Sequence, residues 1–218
     1  KFKDKYNLKP IAIICPSKWL MQISKESKIY SRSKIINIPY PINQKIFFPR
    51  KINKIENLNL KKSRKIKILF AVFGNPSDKR KGLDLLLKSL KRIDKNNFEL
   101  IVAGKNKINI SQFNIKYVNY IKSEQELSNI YNLSDIVVIP SRLDNLPNVA
   151  LEAQSCGKPI IAYNVGGLSD IVKNGINGYL ISPYNYKQFA IKLNLLIKNK
   201  IKRKKFQKEA YLFAKKNW

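Results

Sequence analysis

Two carboxylates, Asp144 and Glu152, are the side chains of this sequence whose type and spacing best suit a ligand-binding or catalytic site. Glu152 lies five residues beyond Pro147, about 7–8 Å along a predicted helix, and apolar residues surround it on that helix. A carboxylate buried there needs partners, because desolvating it unpaired costs several kcal/mol. Two vicinal hydroxyls of a ligand could donate to it at once. The alternatives are that Glu152 faces solvent or pairs with a nearby lysine.

The predicted helix, at 147–156, follows a predicted strand at 135–140 and a short loop. Pro147 suits the first helical turn, and Gly157 followed by Pro159 ends the helix. Ligands of open α/β sheets bind outside the carboxyl ends of the strands, which is where this helix begins. Its unpaired amides and its dipole both favour an anion, and phosphate is the usual one.

Short apolar runs alternate with amphipathic stretches along the rest of the chain. Strands are predicted at 11–15, 34–38, 66–73, 98–104, 115–121, 135–140 and 159–163. Helices are predicted at about 17–26, 82–93, 124–132, 147–156 and 168–173, and from Tyr186 onward after an Asn185 cap. This alternation predicts an α/β fold with a parallel sheet covered on both faces, doubly wound and Rossmann-like.

The region from 39 to 65 interrupts this alternation with three prolines and many charges. We interpret it as a boundary, with a long surface loop inside one domain as the alternative. The predicted parts are the end of an N-terminal domain (1–42), a linker (43–65), a C-terminal domain (66–200) and a basic helix (201–218). In that helix Ile201, Phe206, Ala210 and Phe213 are predicted to form one apolar stripe. One interpretation is that this helix packs on its own domain and its basic face is solvated. The other is that the basic face lies on anionic lipid.

Composition excludes several classes of function. The sequence has no histidine, and Cys15 and Cys156 lie far apart, so we expect neither a zinc site nor a His-based triad. We expect both cysteines to be buried, reduced thiols. The net charge of +29 accompanies an excess of Lys, Ile and Asn. We therefore interpret the charge as compositional bias rather than as a surface that binds an acidic partner. An anionic membrane is the second interpretation. Nucleic acid is not expected, since no RNA-binding aromatic motif appears.

The stretch PSRLDNLPNVALEAQSCGKP resembles the E-x7-E element of retaining glycosyltransferases with the GT-B fold, family four. The matching residues are Pro140, Ser141, Glu152, Ala153, Gly157, Pro159 and Ile160, with Asp144 in place of the first Glu. The run DNLPN is similar to that of a subgroup that builds exopolysaccharides and lipopolysaccharides. The resemblance implies that this chain is the donor-binding C-terminal half of such an enzyme.

By this resemblance Asp144 is the catalytic residue, in contact with the donor sugar near its reacting end. Glu152 holds the nucleotide ribose, and Lys81 matches the lysine of an R-x4-K-G element that clamps the diphosphate. Pro76 stands where that element has its arginine, so Arg80 or Lys79 would substitute. The implied donor-binding residues are Gly74, Arg80, Lys81, Asn145, Leu146, Pro147, Asn148, Val149 and Glu152.

Two further segments carry the resemblance. NVGGLSDIVKNGINGYL is similar to the segment after the motif, where Gly166 and Gly167 either let the backbone approach the ligand or form a tight strand-to-helix turn. Asn177 and Gly178 are predicted as a simple turn. CPSKWL is similar to the end of the family's acceptor domain, with Ser17 as a helix cap and Trp19 as a core aromatic.

The implied activity is transfer of a sugar from a nucleoside-diphosphate sugar to a glycan or lipid-linked acceptor, with retention and without metal or cofactor. The alternatives are a non-catalytic nucleotide-sugar-binding module and a nucleotide-sugar epimerase. With no apolar run long enough to span a bilayer and no signal peptide, we expect a cytoplasmic protein, with peripheral membrane association as a further option. The chain does not begin with Met, and we expect it to be part of a longer enzyme.

Overall fold

The first elements of the chain form a small β–α–β unit. The computed structural model describes residues 12–30, 33–55, 59–61, 64–72, 74–105, 110, 112–113, 115–119 and 121–218. Strand β1 (Ala12–Cys15), helix α1 (Lys18–Glu26) and strand β2 (Lys34–Asn37) follow one another, and the two strands pair in parallel. Ser17 caps α1 as predicted, because its hydroxyl accepts a hydrogen bond from the Leu20 amide at 3.0 Å. Trp19 is only partly buried, whereas a core position was predicted.

The segment between this unit and the main sheet contains a short antiparallel hairpin that the sequence did not predict. It consists of β3 (Lys54–Ile55) and β4 (Leu60–Lys61). Phe47, Ile55 and Leu60 are buried in one of the cores of the main sheet. The segment therefore packs along the C-terminal unit for part of its length.

The main sheet has six parallel strands among the described residues. They are β5 (Ile66–Ala71), β6 (Phe98–Ala103), β7 (Ile115–Val118), β8 (Ile136–Ile139), β9 (Ile160–Tyr163) and β10 (Gly178–Ile181). Their order is β10-β9-β8-β5-β6-β7, so the chain builds outward from β5 in one direction and then returns to build outward from β8 in the other. The carboxyl ends of β5 and β8 flank the switch point, which is where ligands bind in this architecture.

Helices cover both faces of the sheet, which confirms the doubly wound α/β prediction. They are α2 (Leu83–Leu90), α3 (Glu124–Leu133), α4 (Asn148–Ser155), α5 (Leu168–Ile171), α6 (Tyr186–Lys198) and α7 (Lys200–Asn217). Helices α3, α4 and α5 contribute to the core on one face, and α2, α6 and α7 to the core on the other. Asn185 caps α6 as predicted, accepting a hydrogen bond from the Gln188 amide at 2.9 Å. Of the predicted strand residues, Ile11, Phe73 and Tyr120 lie outside the described part of the chain.

Strand β10 is the largest departure from the sequence-based prediction. Asn177 does end a turn, but its side chain is buried, accepting from the Lys173 amide and donating to the Ile171 carbonyl. Gly178 then starts a strand that pairs with β9. A β-carbon at Gly178 would overlap the carbonyl oxygen of Ile160, so glycine serves here for close strand approach rather than for the turn.

Helix α7 packs on its own domain through a stripe that differs from the predicted one. Phe206, Ala210 and Ala214 are buried, whereas Ile201 is 84% exposed and Phe213 is partly buried. The prediction was therefore wrong for Ile201. Cys15 and Cys156 are free and buried, as predicted. Within the described residues no helix is both long and apolar enough to span a bilayer.

Candidate functional site

A cavity of about 230 Å³ opens at the switch point of the sheet. The end of β5 lines it with Ala71 and Val72, and the end of β8 lines it with Ile139 and Ser141. Parallel strands place their carboxyl ends at one edge, so this position follows directly from the strand order. The remaining wall comes from Lys81, from the loop after β8 and from the first turns of α4.

Lys81 and Asp144 meet at the mouth of this cavity. The Lys81 ammonium lies 2.9 Å from Asp144 Oδ2, and the Ser141 hydroxyl donates to the same oxygen at 3.1 Å. The side chains of Lys81 and Asp144 are 27% and 15% exposed, so water screens this ion pair only partly. The two residues lie 63 positions apart, and the fold brings them together as the resemblance implied for a single site.

A short 3-10 turn, Lys79–Lys81, positions Lys81 over the end of β8. Gly82 follows it with a φ of +72°, and a β-carbon there would overlap the carbonyl oxygen of Pro140. Only glycine therefore lets the turn come this close. Arg142 fixes the turn from the other side: its guanidinium donates to the Lys79 carbonyl at 2.6 Å and its amide donates to the Arg80 carbonyl at 2.7 Å.

The amino end of α4 faces the same cavity. Pro147 occupies the N-cap position, one residue before the helix, and makes no side-chain capping hydrogen bond. Asn148 and Val149 follow it in the first turn, and all three residues line the cavity with Leu146. Amides of a first helical turn have no intrahelical acceptor and carry the positive end of the dipole. The cavity thus has a cation and a set of amide donors for an anion.

Glu152 has a partner that the sequence analysis did not foresee. It neither faces open solvent nor pairs with a lysine among the described residues; its Oε2 accepts a hydrogen bond from the Tyr131 hydroxyl at 2.7 Å. Burial raises the pKa of Glu152, and the hydrogen bond from Tyr131 partly opposes that rise. Burial and the neighbouring carboxylate hold the pKa of Tyr131 well above its ordinary value, so the phenol remains a donor.

A second cavity, of about 260 Å³, adjoins the first. Ala71, Val72, Val149 and Glu152 line both, so Glu152 stands at the junction. The wall of the second cavity is mainly aliphatic and aromatic, from Ala103, Ile121, Leu127 and Tyr131. Sequence reasoning missed these residues. The strand ends at Ala71 and Ala103 could have been found from the switch-point rule, whereas no spacing signal points to Tyr131 or Leu127.

Three of the predicted site residues do not line either cavity. Arg80 is paired with Asp78 at 2.7 Å and its side chain is 75% exposed. Gly74 has a φ of +108°, and its carbonyl accepts from the Lys105 amide at 2.8 Å. Asn145 accepts a hydrogen bond from the Ser17 hydroxyl at 2.5 Å, which ties the first unit of the chain to the loop that carries Asp144.

Gly166 and Gly167 approach this loop closely. The Gly167 amide donates to the Asp144 carbonyl at 3.2 Å, and a β-carbon on Gly166 would overlap that same carbonyl oxygen. The glycines therefore hold the backbone of Asp144 and Asn145 in place. The structure shows the tight turn from β9 to α5, and the approach of these glycines to a ligand stays a prediction.

Comparison with known proteins gives consistent matches. The family model described as glycosyl transferases group 1 matches residues 51–213. An uncharacterized glycosyltransferase of Methanocaldococcus jannaschii is 35% identical over 153 residues, which are 67% of this chain and 43% of that protein. The chain thus spans less than half the length of this relative.

Solved structures with the same fold have lower sequence identity. Sucrose-phosphate synthase from Thermosynechococcus elongatus superposes with a TM-score of 0.79 at 21% identity, over 94% of this chain and 54% of that one. Anabaena HepE, solved in complex with UDP, superposes with a TM-score of 0.77 at 16% identity, over 98% of this chain and 61% of that one.

Proposed function

Since the chain belongs to the glycosyl transferases group 1 family, we propose that its cleft binds the nucleoside-diphosphate sugar of a glycosyltransferase. The observation that carries this proposal is the joining of two cavities at Glu152. One cavity has Lys81 and the amino end of α4, which suit a diphosphate. The other is largely apolar, which suits a flat base. A relative solved with UDP supports the same ligand class.

Each part of the cleft has a distinct task in this proposal. The diphosphate lies against the amides of Asn148 and Val149 and replaces Asp144 as the partner of the Lys81 ammonium. Glu152, oriented by Tyr131, accepts hydrogen bonds from the ribose hydroxyls. Asp144, released from Lys81, is left beside the sugar at its reacting end.

The chemical step is cleavage of the bond between the anomeric carbon and the diphosphate oxygen. The electron pair leaves with the nucleoside diphosphate, and the acceptor hydroxyl forms the new bond as its proton passes to the oxygen of the departing diphosphate. We propose that the reaction retains the anomeric configuration, that the sugar is a hexose and that the acceptor is a glycan or lipid-linked, on the resemblance of the Pro140–Pro159 motif. The α4 amides and Lys81, once Lys81 has exchanged Asp144 for the diphosphate, lie where negative charge grows and so lower the barrier.

We propose further that donor binding needs no metal ion, because Lys81 and the helix dipole already supply positive potential to the diphosphate. Addition of EDTA should then leave the affinity for the nucleotide unchanged. A loss of binding that Mg²⁺ restores would contradict this part of the proposal only.

Calorimetric titration of the chain with UDP, GDP and ADP in turn tests donor binding. We expect one of them to bind, and Lys81→Ala to weaken it about tenfold or more, since a charge-assisted hydrogen bond contributes about 1.5–3 kcal/mol. Lys88→Ala is the matched control, because Lys88 is exposed on α2 and lines neither cavity. If the folded chain binds none of the three nucleotides at millimolar concentration, the proposed function is wrong.

A further inference from the structure

A third cavity, of about 490 Å³, lies at the opposite edge of the main sheet from the cleft. The first residues of β5, Ile66 and Lys67, line it, as does Asp135 just before β8. Helix α7 and residues 50–52 close its sides. We call this the basic pocket. It shares no lining residue with the two cavities of the cleft.

The charge of the basic pocket is one-sided. Nine of its sixteen lining residues are Lys or Arg, and among the described lining residues Asp135 is the only carboxylate. That carboxylate is engaged by the backbone, since Asp135 Oδ2 accepts a hydrogen bond from the Lys67 amide at 2.8 Å. The Lys67 ammonium pairs with Glu99, which does not line the pocket. Compositional bias explains many lysines in the chain, but not their convergence on one concave site.

Three of these cations, Lys67, Lys158 and Arg203, are buried, which distinguishes the pocket from a solvated basic surface. Lys158 is 8% exposed and donates to the Asn132 carbonyl at 3.0 Å, and Arg203 is 9% exposed and donates to the carbonyls of Leu196 and Ile197. Burial lowers the pKa of Lys158 to about 8 and lowers that of Arg203. The carbonyls they contact lie in the last turns of α3 and α6, and nearby Asp135 opposes part of the pKa decrease of both cations, so a bound anion would add to a compensation that is already partial.

The linker side of the pocket contributes a further cation, Arg50. Its Nε is buried and has no hydrogen-bond partner within the described residues, whereas its two terminal nitrogens lie against the side-chain amide of Gln125. Exposed Lys51, Lys200 and Lys204 surround the opening. No aromatic side chain lines the pocket among the described residues, so the stacking platform that nucleic-acid bases use is missing. A volume of this size suits a small molecule.

We propose that the basic pocket binds a compound or headgroup that carries two or more phosphate groups. Clustered ammonium and guanidinium groups recognise phosphate oxygens through charge-assisted hydrogen bonds. Such a ligand joins the linker, the amino ends of the central strands and α7, so it stabilises the packing of these three parts. The source of the phosphates is either a free polyphosphorylated compound or an anionic lipid headgroup.

Calorimetry with inorganic tripolyphosphate tests the pocket directly. The Lys200→Ala/Lys204→Ala variant should bind at least about tenfold more weakly than the wild type, because it removes two charge-assisted contacts. The Lys215→Ala/Lys216→Ala variant removes the same charge from exposed positions of the same helix, outside the pocket, and should bind within about twofold of the wild type. Lys51→Ala is a second pocket variant, on the linker side.

Sedimentation with vesicles separates the two sources. Vesicles of phosphatidylcholine that contain cardiolipin, whose headgroup carries two phosphates, should bind the pocket variant less than the α7 control if a lipid headgroup is the ligand, and bind both equally if the ligand is free. The proposal would be overturned if neither tripolyphosphate nor vesicles bind the pocket variant more weakly than the α7 control. It would also be overturned if an RNA oligomer is the only one of the three ligands whose binding differs between the two variants. The titration with UDP should be the same in all these variants, so failure here leaves the proposed function untouched.

Discussion

At the scale of single residues, Glu152 is the side chain whose environment says most about its role. An acid on a buried helix is normally destabilising, and here a buried phenol keeps it oriented with Oε2 engaged at 2.7 Å. Lys81 and Asp144 form a second prearranged pair. The Tyr131 contact holds Glu152 in position before a ligand arrives, which reduces the reorganisation that binding requires, whereas the Lys81–Asp144 pair has to be exchanged for a contact between Lys81 and the diphosphate.

The raised pKa of Glu152 makes nucleotide affinity depend on pH. Hydroxyl donors of a ribose favour the ionised carboxylate, so affinity should fall as the pH decreases through the pKa of the folded protein, which burial places above the usual value of 4.5. Calorimetry with the bound nucleotide across this range measures the effect. The Glu152→Gln variant lacks the titrating group, so the pH dependence that remains in it measures the contribution of phosphate protonation to the change in affinity. Identical pH profiles for the two proteins would contradict the assignment of the ribose to Glu152.

At the scale of elements, the turn that carries Lys81 depends on Gly82. The sequence marks this glycine only as part of a Lys-Gly pair, while the structure supplies two reasons for it: a φ of +72° and contact with the Pro140 carbonyl. A left-handed residue other than glycine costs about 1–2 kcal/mol, and the overlap with Pro140 requires the turn to move as well. The turn and the loop after β8 therefore act as one unit.

Gly82→Ala should lower the free energy of unfolding by about 2 kcal/mol or more and also weaken nucleotide binding, because Lys81 moves with the turn. Gly175→Ala is a matched control: its φ is +79°, but nothing lies within 4 Å of a β-carbon there. The control should show only the conformational part, about 1–2 kcal/mol, with unchanged nucleotide affinity. Urea unfolding and calorimetry measure both quantities. Equal effects of the two substitutions on binding would refute the positional argument.

Elements with a clear period or a clear boundary could be predicted from the sequence. The helix at α4 was placed within one residue at each end, because Pro147 and Gly157 limit it chemically. Strand β10 was missed, because it is four residues long and begins at a glycine that resembles the end of a turn. The partner of Glu152 was missed for another reason. Tyr131 lies on a different helix, and only the packing of α3 against α4 brings the two together.

At the scale of the whole molecule, 43 basic and 14 acidic residues give a net charge of +29. Like charges at this density repel one another and oppose the compact state. The proposed donor cleft and the basic pocket lie at opposite edges of one sheet, and the positive field of the chain would draw anions to both. Anion binding and fold stability are therefore linked in this protein, and salt acts on the two in opposite directions.

Sodium chloride should raise the melting temperature of the chain while it weakens nucleotide binding. Screening shortens the range of repulsion to about 8 Å at 0.15 M, so the folded state gains stability, and a gain of about 1 kcal/mol corresponds to roughly 2–4 °C for a chain of this size. The same screening reduces the attraction between Lys81 and a diphosphate. Thermal unfolding at low and high salt measures the first effect, and calorimetry at the same salt concentrations measures the second. The Lys200→Ala/Lys204→Ala variant should retain most of the salt-induced stabilisation, since it removes only two of the 43 basic residues. If the variant loses this stabilisation, chloride acts by binding in the basic pocket rather than by screening. If the melting temperature of the wild type falls as salt is added, net charge repulsion does not limit its stability.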